Sequence, residues 1–271
     1  MKKFLSVLMA GAMLFGVLTL AGCGDTTEPA AEEGTTTEDT TTTAEFTTVT
    51  EGVLTMSTNA AFPPYEMTDD SGNIVGIDAE IAAAIAEKLG LELQIDDMDF
   101  DAAQLAVQQG KSDICMAGLS VTEDRLLVMD FSDSYATGIQ VVIVPEGSDV
   151  TLDNLGEQLI GTQRATTGNI YCTDDYGEDH VIAYDDGIVA VQDLLNGKVD
   201  AVVIDKAPAQ EFVSANPGLV ILDTEYANED YAIGVAKGNT ALVDAVNGAL
   251  AELTADGTIQ SIIEKYIPAE G

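Results

Sequence analysis

The chain has 271 residues, with 10 basic residues against 47 acidic ones and a formal net charge of −37. Because phosphate binding needs clustered lysine and arginine side chains, this charge excludes nucleic acid as a partner. A lone histidine, His180, and three widely separated cysteines provide no metal-ligand spacing. The composition therefore removes most of the support for zinc chemistry and for a Ser-His-Asp triad, and we expect no metal and no cofactor.

The first 22 residues are typical of an export signal. Lys2 and Lys3 supply a positive start, residues 4–22 are uncharged and mostly apolar, and small residues precede Cys23. The Leu-Ala-Gly-Cys ending resembles a bacterial lipobox, so we expect a signal peptide over 1–22 and lipidation of Cys23. The competing interpretation is a single membrane span, for which the apolar run is barely long enough.

Residues 23–50 are predicted to be a disordered tether. Thr, Glu, Asp, Ala and Pro dominate this segment, which has too few apolar groups to offset the entropy of ordering. A flexible coil of about 25 residues has an end-to-end distance of ~25–30 Å. With a lipid on Cys23, we expect an extracytoplasmic protein anchored to the bacterial cell membrane.

Helical and strand periods alternate after residue 51, as in α/β proteins with mostly parallel sheets. In the first half, the pattern predicts strands over 53–57, 91–95 and 113–117 and helices over 79–89 and 101–109. In the second half, it predicts strands over 159–163, 199–204 and 219–222 and helices over 169–176, 188–195 and 207–214. Two more strands, 139–144 and 231–236, bracket the second unit, and helices over 240–253 and 258–266 end the chain.

This order of elements predicts two lobes. A helix stop followed by Gly-Lys-x-Asp and an apolar strand occurs at Gly110 and again at Gly197, although Gly-Lys turns are common. We expect lobe 1 to comprise residues 51–138 plus 232–271 and lobe 2 to comprise residues 139–231. Two crossing strands would form the hinge, and a cleft between lobes is where small ligands bind.

Ordered motifs run through this part of the chain. They are STNAAFPPYE at 57–66, GID at 76–78, MAGLSVTEDR at 116–125, DFSD at 130–133, ADGT at 255–258 and KY at 265–266. The set resembles the polar amino-acid-binding proteins of bacterial ABC importers, in family 3 of the extracellular solute-binding proteins. The resemblance spans nearly all of residues 53–267.

The resemblance implies an α/β, two-lobed periplasmic-binding-protein-like fold (type II) with two crossing hinge strands. It also implies a monomer without catalytic residues that captures a free polar L-amino acid between closing lobes. The partner in the membrane would be an ABC permease, to which the protein delivers its ligand.

A free amino acid carries a carboxylate and an ammonium, and burying either is costly unless it is paired. Arg125 can hold a carboxylate through two parallel bonds, the alternative being an exposed ion pair of little consequence. By resemblance, the backbone around Ala117 and Gly118 and the Ser120 hydroxyl add contacts, and Gly118 would let the backbone approach the ligand closely.

The second lobe is expected to supply the opposite charge. Asp205 follows the strand at 199–204 and matches the family's ammonium-binding Asp; capping of the next helix is the alternative, and the two roles are compatible. Thr166 and Thr167 would present N–H groups to the carboxylate from a helix start, or serve as ordinary caps. Because Arg125 and Asp205 lie in different lobes, only a closed form would satisfy both charges of the ligand.

The ligand's side chain is harder to infer. By resemblance, Phe62 and Phe100 sandwich it, with ordinary core packing as the alternative. Asn59 stands where several family members carry Asp, and Arg164 precedes the loop at 165–167. If both face the cleft, lysine and arginine are disfavoured, so we expect a neutral polar amino acid, with acidic ones possible.

Glu66 and Asp101 would overturn this expectation if either pointed inward. Cys115 lies in a predicted buried strand and Cys172 beside a predicted helix, so free thiols are favoured over a disulfide. A few dehydratases and receptor sensor domains share the fold. A dehydratase-like enzyme and a ligand-sensing subunit therefore remain open alternatives to transport.

Overall fold

The computed structural model describes residues 46–223 and 225–268. The predicted signal peptide, Cys23 and the tether up to residue 45 lie outside the described residues. Residues 46–50 do not behave as tether, because Phe46 packs against the core and the Val49 N–H donates to the Asp113 carboxylate at 2.7 Å. Among the described residues, no helix combines the length and apolar character that crossing a membrane requires.

The elements follow one another with short connections. The strands are β1 (Val53–Thr58), β2 (Ala61–Phe62), β3 (Glu66–Thr68), β4 (Ile74–Val75), β5 (Glu92–Asp97), β6 (Ile114–Cys115), β7 (Met129–Pro145), β8 (Ile160–Gln163), β9 (Val181–Tyr184), β10 (Ala201–Asp205), β11 (Leu219–Ile221) and β12 (Ala227–Ala236). The helices are α1 (Ile77–Leu89), α2 (Phe100–Gln108), α3 (Glu123–Val128), α4 (Thr167–Tyr176), α5 (Gly187–Leu195), α6 (Lys206–Ala215), α7 (Thr240–Ala255) and α8 (Thr258–Tyr266).

All the helices predicted from periodicity are present, and their ends lie within a few residues of the predicted bounds. The helix predicted over 79–89 begins two residues earlier, at Ile77, and ends where expected. Gly90 adopts φ +71°, and its N–H bonds to the carbonyls of Ala86 and Glu87. A left-handed residue at this place closes the helix because it lets the chain turn back onto the last free carbonyls.

One sheet connects both halves of the chain, in the order β5-β1-β6-β12-β7-β10-β8-β9, with β11 also paired to β7. Strand β1 is parallel to β5 and β6, and β8 is parallel to β9 and β10. Strands β7 and β12 run antiparallel to their neighbours between these two parallel blocks. The mostly parallel arrangement predicted from the alternation therefore holds at the two ends of the sheet and not in its middle.

The strands in the middle are much longer than the apolar stretches predicted over 139–144 and 231–236. In β12, residues 227–231 pair with 136–140, whereas residues 232–236 pair with 129–134. The register shifts between Tyr231 and Ala232 and again before Gly234. A bulge bends a strand and increases its twist, so the two long strands change direction where they pass from one parallel block to the other.

Each parallel block is covered by helices on both faces. In β6, Ile114 packs in the cluster formed with α1, α7 and α8, whereas Cys115 packs with α2 residues such as Val107. In β10, Val202 packs with α5 and α6, whereas Val203 packs with Cys172 of α4. Because successive strand residues point to opposite faces, each block has two apolar layers, and the polar residues collect beyond its strand ends.

Cys115 and Cys172 are both buried free thiols, as the sequence favours. Burial raises the pKa of each thiol to about 12. Both therefore stay protonated and pack as small apolar groups.

Candidate functional site

A cavity with about 300 Å³ of empty volume lies where the carboxyl ends of β6, β8 and β10 meet. It brings together ten of the eleven residues predicted to contact a ligand, and two others. The lining residues are Asn59, Phe62, Glu66, Phe100, Ala117, Gly118, Ser120, Arg125, Gln163, Thr166, Thr167 and Asp205.

Arg125 lies in the cavity wall and is 6% exposed. Its Nη1 donates to the Ser120 carbonyl at 2.7 Å and its Nη2 to the Ala165 carbonyl at 2.9 Å. The guanidinium carbon lies 5.4 Å from the centre of the Phe100 ring. Among the described residues, no carboxylate forms an ion pair with it. Arg125 is therefore a buried cation whose bonds to the protein are to neutral groups, and an anion entering the cavity would supply the missing charge.

The cap of α3 holds the Arg125 backbone in position. The Thr122 hydroxyl caps α3 by accepting from the Arg125 N–H at 3.2 Å. Burial lowers the pKa of the Arg125 guanidinium, which nevertheless stays charged at neutral pH.

Asp205 ends β10 on the other side of the cavity and is also 6% exposed. Although it occupies the N-cap position of α6, its side chain makes no capping bond, so the capping alternative is not realised. Its carboxylate accepts from Gln140 Nε2 at 2.8 Å and from the Tyr231 hydroxyl. Burial raises the pKa of Asp205 to about 7. A cation placed beside this carboxylate would favour its ionised form.

Helix α4 begins at the cavity wall. The Thr166 hydroxyl accepts from the Asn169 N–H at 3.3 Å and donates to the Gln163 carbonyl at 2.7 Å, so Thr166 does act as an ordinary cap. Thr167, the first helical residue, is buried. The partial positive charge at the start of a helix therefore adjoins the cavity on the side opposite Arg125.

Hydrogen bonds hold the two sides of the cavity together. They include the bond from Arg125 to Ala165, the bond from Gln163 Nε2 to Asn59 Oδ1 at 2.8 Å and the bond from Asn59 Nδ2 to the Asp186 carboxylate at 3.3 Å. Ala165 adopts φ +60°, a left-handed conformation that is unfavourable for alanine and that presents its carbonyl to Arg125. The structure is therefore a closed form.

The aromatic residues and Gly118 shape the cavity. Gly118 has φ +53°, and a Cβ added there would approach Cε1 of Phe62 to 2.7 Å. The Phe62 ring itself stacks at 6.0 Å on Tyr65. Gly118 is thus required both by its backbone conformation and by the neighbouring ring.

The sequence left open whether Glu66 and Asp101 point inward. Glu66 does, and it lines the cavity. It is fully buried, and neither of its carboxylate oxygens meets a hydrogen-bond donor among the described residues. Burial, followed by the neighbouring charge of Asp78, holds the pKa of Glu66 well above its ordinary range. Asp101, in contrast, is exposed and bonds to the Ala102 N–H within its own helix.

Arg164 does not reach the cavity, which corrects its expected place in the site. Its side chain is 52% exposed, and Nη2 lies 2.6 Å from the Asp185 carboxylate. The chain still has the alternation of a strand here, so Gln163 points into the cavity and Arg164 points away from it. The argument against a cationic ligand, which needed Arg164 to face inward, loses its basis.

Gln163 and Glu229 are further buried polar residues that the sequence did not single out. Glu229, on β12, accepts from the Ser120 hydroxyl at 2.9 Å and from Gln140 Nε2 at 3.0 Å. Gln140 also bonds to Asp205, so this network joins the two sides of the cavity through β7 and β12. The position of Gln163 at the end of a predicted strand could have identified it as a candidate site residue from the sequence. The burial of Glu229, in contrast, depends on the pairing of β7 with β12.

Comparisons with known proteins identify the family of this chain. The model of the bacterial extracellular solute-binding proteins, family 3, matches residues 54–269. The ABC transporter arginine-binding protein 1 of Escherichia coli (strain K12) is 30% identical over 220 residues, which cover 79% of this chain and 90% of the relative.

Two solved structures share the fold. The arginine-, lysine-, histidine-binding protein ArtJ from the thermophilic bacterium Geobacillus stearothermophilus is 32% identical, with a TM-score of 0.76 and coverage of 80% of this chain and 96% of that one. An ancestral arginine-binding protein bound to glutamine is 38% identical, with a TM-score of 0.76 and coverage of 80% and 98%.

These similarities confirm the predicted two-lobed, type II fold of periplasmic binding proteins. Most of the chain matches the family model, and the similar proteins are binding proteins rather than enzymes. The chain belongs to family 3 of the bacterial extracellular solute-binding proteins.

Proposed function

We propose that the protein captures a free L-amino acid between its two lobes and delivers it to an ABC importer. The observation that carries the proposal is a buried Arg125 that pairs with no carboxylate in the described part of the chain, in the same cavity as the buried carboxylate of Asp205. The α-carboxylate would pair with Arg125 and the first turn of α4, and the α-ammonium would pair with Asp205. A zwitterion is the small ligand that neutralises both groups at once.

We further propose that the ligand's side chain is cationic, with arginine the best candidate. Glu66 offers two buried carboxylate oxygens that meet no donor among residues 46–223 and 225–268, and an ammonium or guanidinium would satisfy them. The named ligands of several relatives, arginine in particular, support this assignment. It replaces the neutral side chain expected from the sequence, because Arg164 lies outside the cavity and Glu66 lies within it.

Other residues that line the cavity would contact the ligand's side chain. Phe62 and Phe100 would pack against its aliphatic part, and Asn59 and Gln163 would close the cavity at the end of that side chain.

The lobes proposed from the sequence are residues 51–138 plus 232–271 and residues 139–231. The register shift of β12 at Tyr231 and Ala232, opposite the stretch of β7 around Ala136, supports a hinge at these boundaries. Opening about this hinge would separate Arg125 from Asp205 and release the ligand.

Export, lipidation of Cys23 and attachment of a monomer to the membrane complete the proposal. They are supported by the Leu-Ala-Gly-Cys sequence and by the family's extracellular location. Replacing Cys23 with serine should move the protein from the membrane fraction to the medium or the periplasm; retention in the membrane would contradict the lipid anchor.

Isothermal titration calorimetry with each of the twenty common amino acids, ornithine and cystine tests the proposed ligand. We expect arginine to bind most tightly, with lysine and ornithine next. If acidic amino acids bound more tightly than arginine, the role given to Glu66 would be wrong. Turnover of any bound amino acid would favour the enzymatic alternative.

A further inference from the structure

Glu66 and Asp78 form a pair of fully buried acids at the edge of the cavity. The backbone holds them side by side, because Ile77 N–H donates to the Pro64 carbonyl at 3.1 Å and Asp78 N–H to the Tyr65 carbonyl at 2.9 Å. Gly76 makes this approach possible, since a Cβ there would lie 2.2 Å from the Tyr65 carbonyl oxygen. These contacts hold the segment that carries Glu66 against the start of α1, which carries Asp78.

The partners of Asp78 fix it as an acceptor. Its Oδ2 accepts from the Gly118 N–H at 2.9 Å and its Oδ1 from the Tyr135 hydroxyl at 2.7 Å. Glu66 has no donor of its own among the described residues, and the polar side chain next to it is Asp78. Two acceptors repel unless one carries a proton, so Glu66 can bond to Asp78 only as a carboxylic acid.

The surroundings of Glu66 favour this protonated state. The titratable groups that face it are Tyr65 from its own segment, Asp78 from α1, Cys115 from β6, Tyr135 from β7 and Asp205 from β10. None of them is a cation, and burial, followed by the charge on Asp78, raises the pKa of Glu66. Arg125 from α3, the one cation that lines the described cavity, is bonded to two carbonyls instead.

We propose that Glu66 and Asp78 share one proton when the cavity is empty or holds a neutral side chain, and that a cationic side chain displaces this proton. This inference rests on the proposed amino-acid-binding function. The Glu66 O–H bond breaks, its electron pair stays on the carboxylate that now accepts from the ligand, and the proton leaves to solvent. Nothing is oxidised or reduced.

The exchange keeps the buried charge constant. The pair carries one negative charge beside a neutral side chain, and two negative charges plus one positive charge beside a cationic one. Both ligand classes thus leave the same net charge in the cavity, which is how one site can accept arginine and glutamine without a large electrostatic penalty. Asp78, which the ligand does not touch, acts as a positioning residue through Glu66.

Calorimetry in buffers of different ionisation enthalpy measures the protons released on binding. At about pH 7, above the pKa of about 6 that burial gives Asp78, we expect arginine to release about one proton more than glutamine. Taking the difference between the two ligands removes the contribution of Asp205, which both would contact. Equal proton release for the two ligands would overturn the inference.

Variants separate this inference from the proposed function. Glu66→Gln should abolish the extra proton release and weaken arginine while retaining glutamine. Asp78→Asn should reduce the release while arginine still binds. The exposed Asp101→Asn is the matched control and should match the wild type. If Asp78→Asn does not fold, wild type and Glu66→Gln decide alone.

If the protein bound no amino acid, the proposed function itself would be refuted. If it bound only neutral amino acids, both the cationic ligand and this inference would be refuted. If arginine binds but glutamine does not, arginine must release about one proton more in the wild type than in Glu66→Gln. Equal release in that case would leave amino-acid binding intact and refute only the shared proton.

Discussion

Arg125→Ala removes the one cation that lines the described cavity. The variant leaves the ligand carboxylate buried without its proposed ion pair, which costs about 3–5 kcal/mol in other buried pairs. Each 1.4 kcal/mol changes an affinity about tenfold, so the dissociation constant should rise by roughly two to four orders of magnitude. The packing of Arg125 on Phe100 and its bond to Ala165 across the cavity would be lost as well.

Arg164→Ala is the matched control for this prediction. It removes an arginine of the same size whose exposed pair with Asp185 lies outside the cavity, so ligand affinity should not change measurably. Calorimetry on both variants, with circular dichroism to confirm folding, measures the difference. A loss of less than about tenfold for Arg125→Ala, or equal losses for both variants, would refute the role given to Arg125.

Asp205→Asn should weaken amino acids by about 2–5 kcal/mol but their deaminated analogues far less, because only the former carry the ammonium; equal losses in titrations would contradict its role. Gly118→Ala should lower the melting temperature and ligand affinity, since φ +53° and the Phe62 ring leave no place for a methyl group; a thermal scan with unchanged midpoint and binding would speak against the close packing. The unliganded protein should lose stability as pH rises from about 4 through about 7. Burial raises the folded-state pKa of Asp205 and Asp78 above that of the unfolded chain, so the folded state binds more protons in this range; a flat stability profile from denaturant titrations would disprove it. Small-angle scattering should show a smaller radius of gyration with saturating arginine, and identical curves would exclude hinge closure.

Local periodicity accounts for the success of the predicted elements. A helix such as α1 needs apolar residues at every third or fourth position and a residue like Gly90 to end it. Both signals are contained in a short stretch of sequence. The short strands β2–β4 and the full length of β7 were not predictable in this way. Their pairing depends on partners elsewhere in the chain, and in β7 the stretch before Ile139 is too polar to be read as a buried strand.

The candidate site, too, was predicted from the sequence only in part. The sequence predicted ten of the twelve lining residues, because Asn59, Gly118 and Arg125 lie in the motifs and Asp205 follows the predicted strand at 199–204, where an α/β fold gathers polar residues. It also determined the pair of opposite charges from which an amino-acid ligand is inferred.

Only the tertiary structure decided the direction of Glu66 and of Arg164, and with them the proposed charge of the ligand's side chain. In the sequence, Arg164 is a charged residue after the predicted strand at 159–163, and Glu66 is a charged residue at the end of the motif at 57–66. Whether such a side chain is buried depends on which face of the extended backbone it occupies and on contacts with distant segments. Asp78 of α1 bonds to Gly118 and the carbonyl of Ala165 bonds to Arg125 from segments far apart in the chain, and no local pattern encodes these contacts.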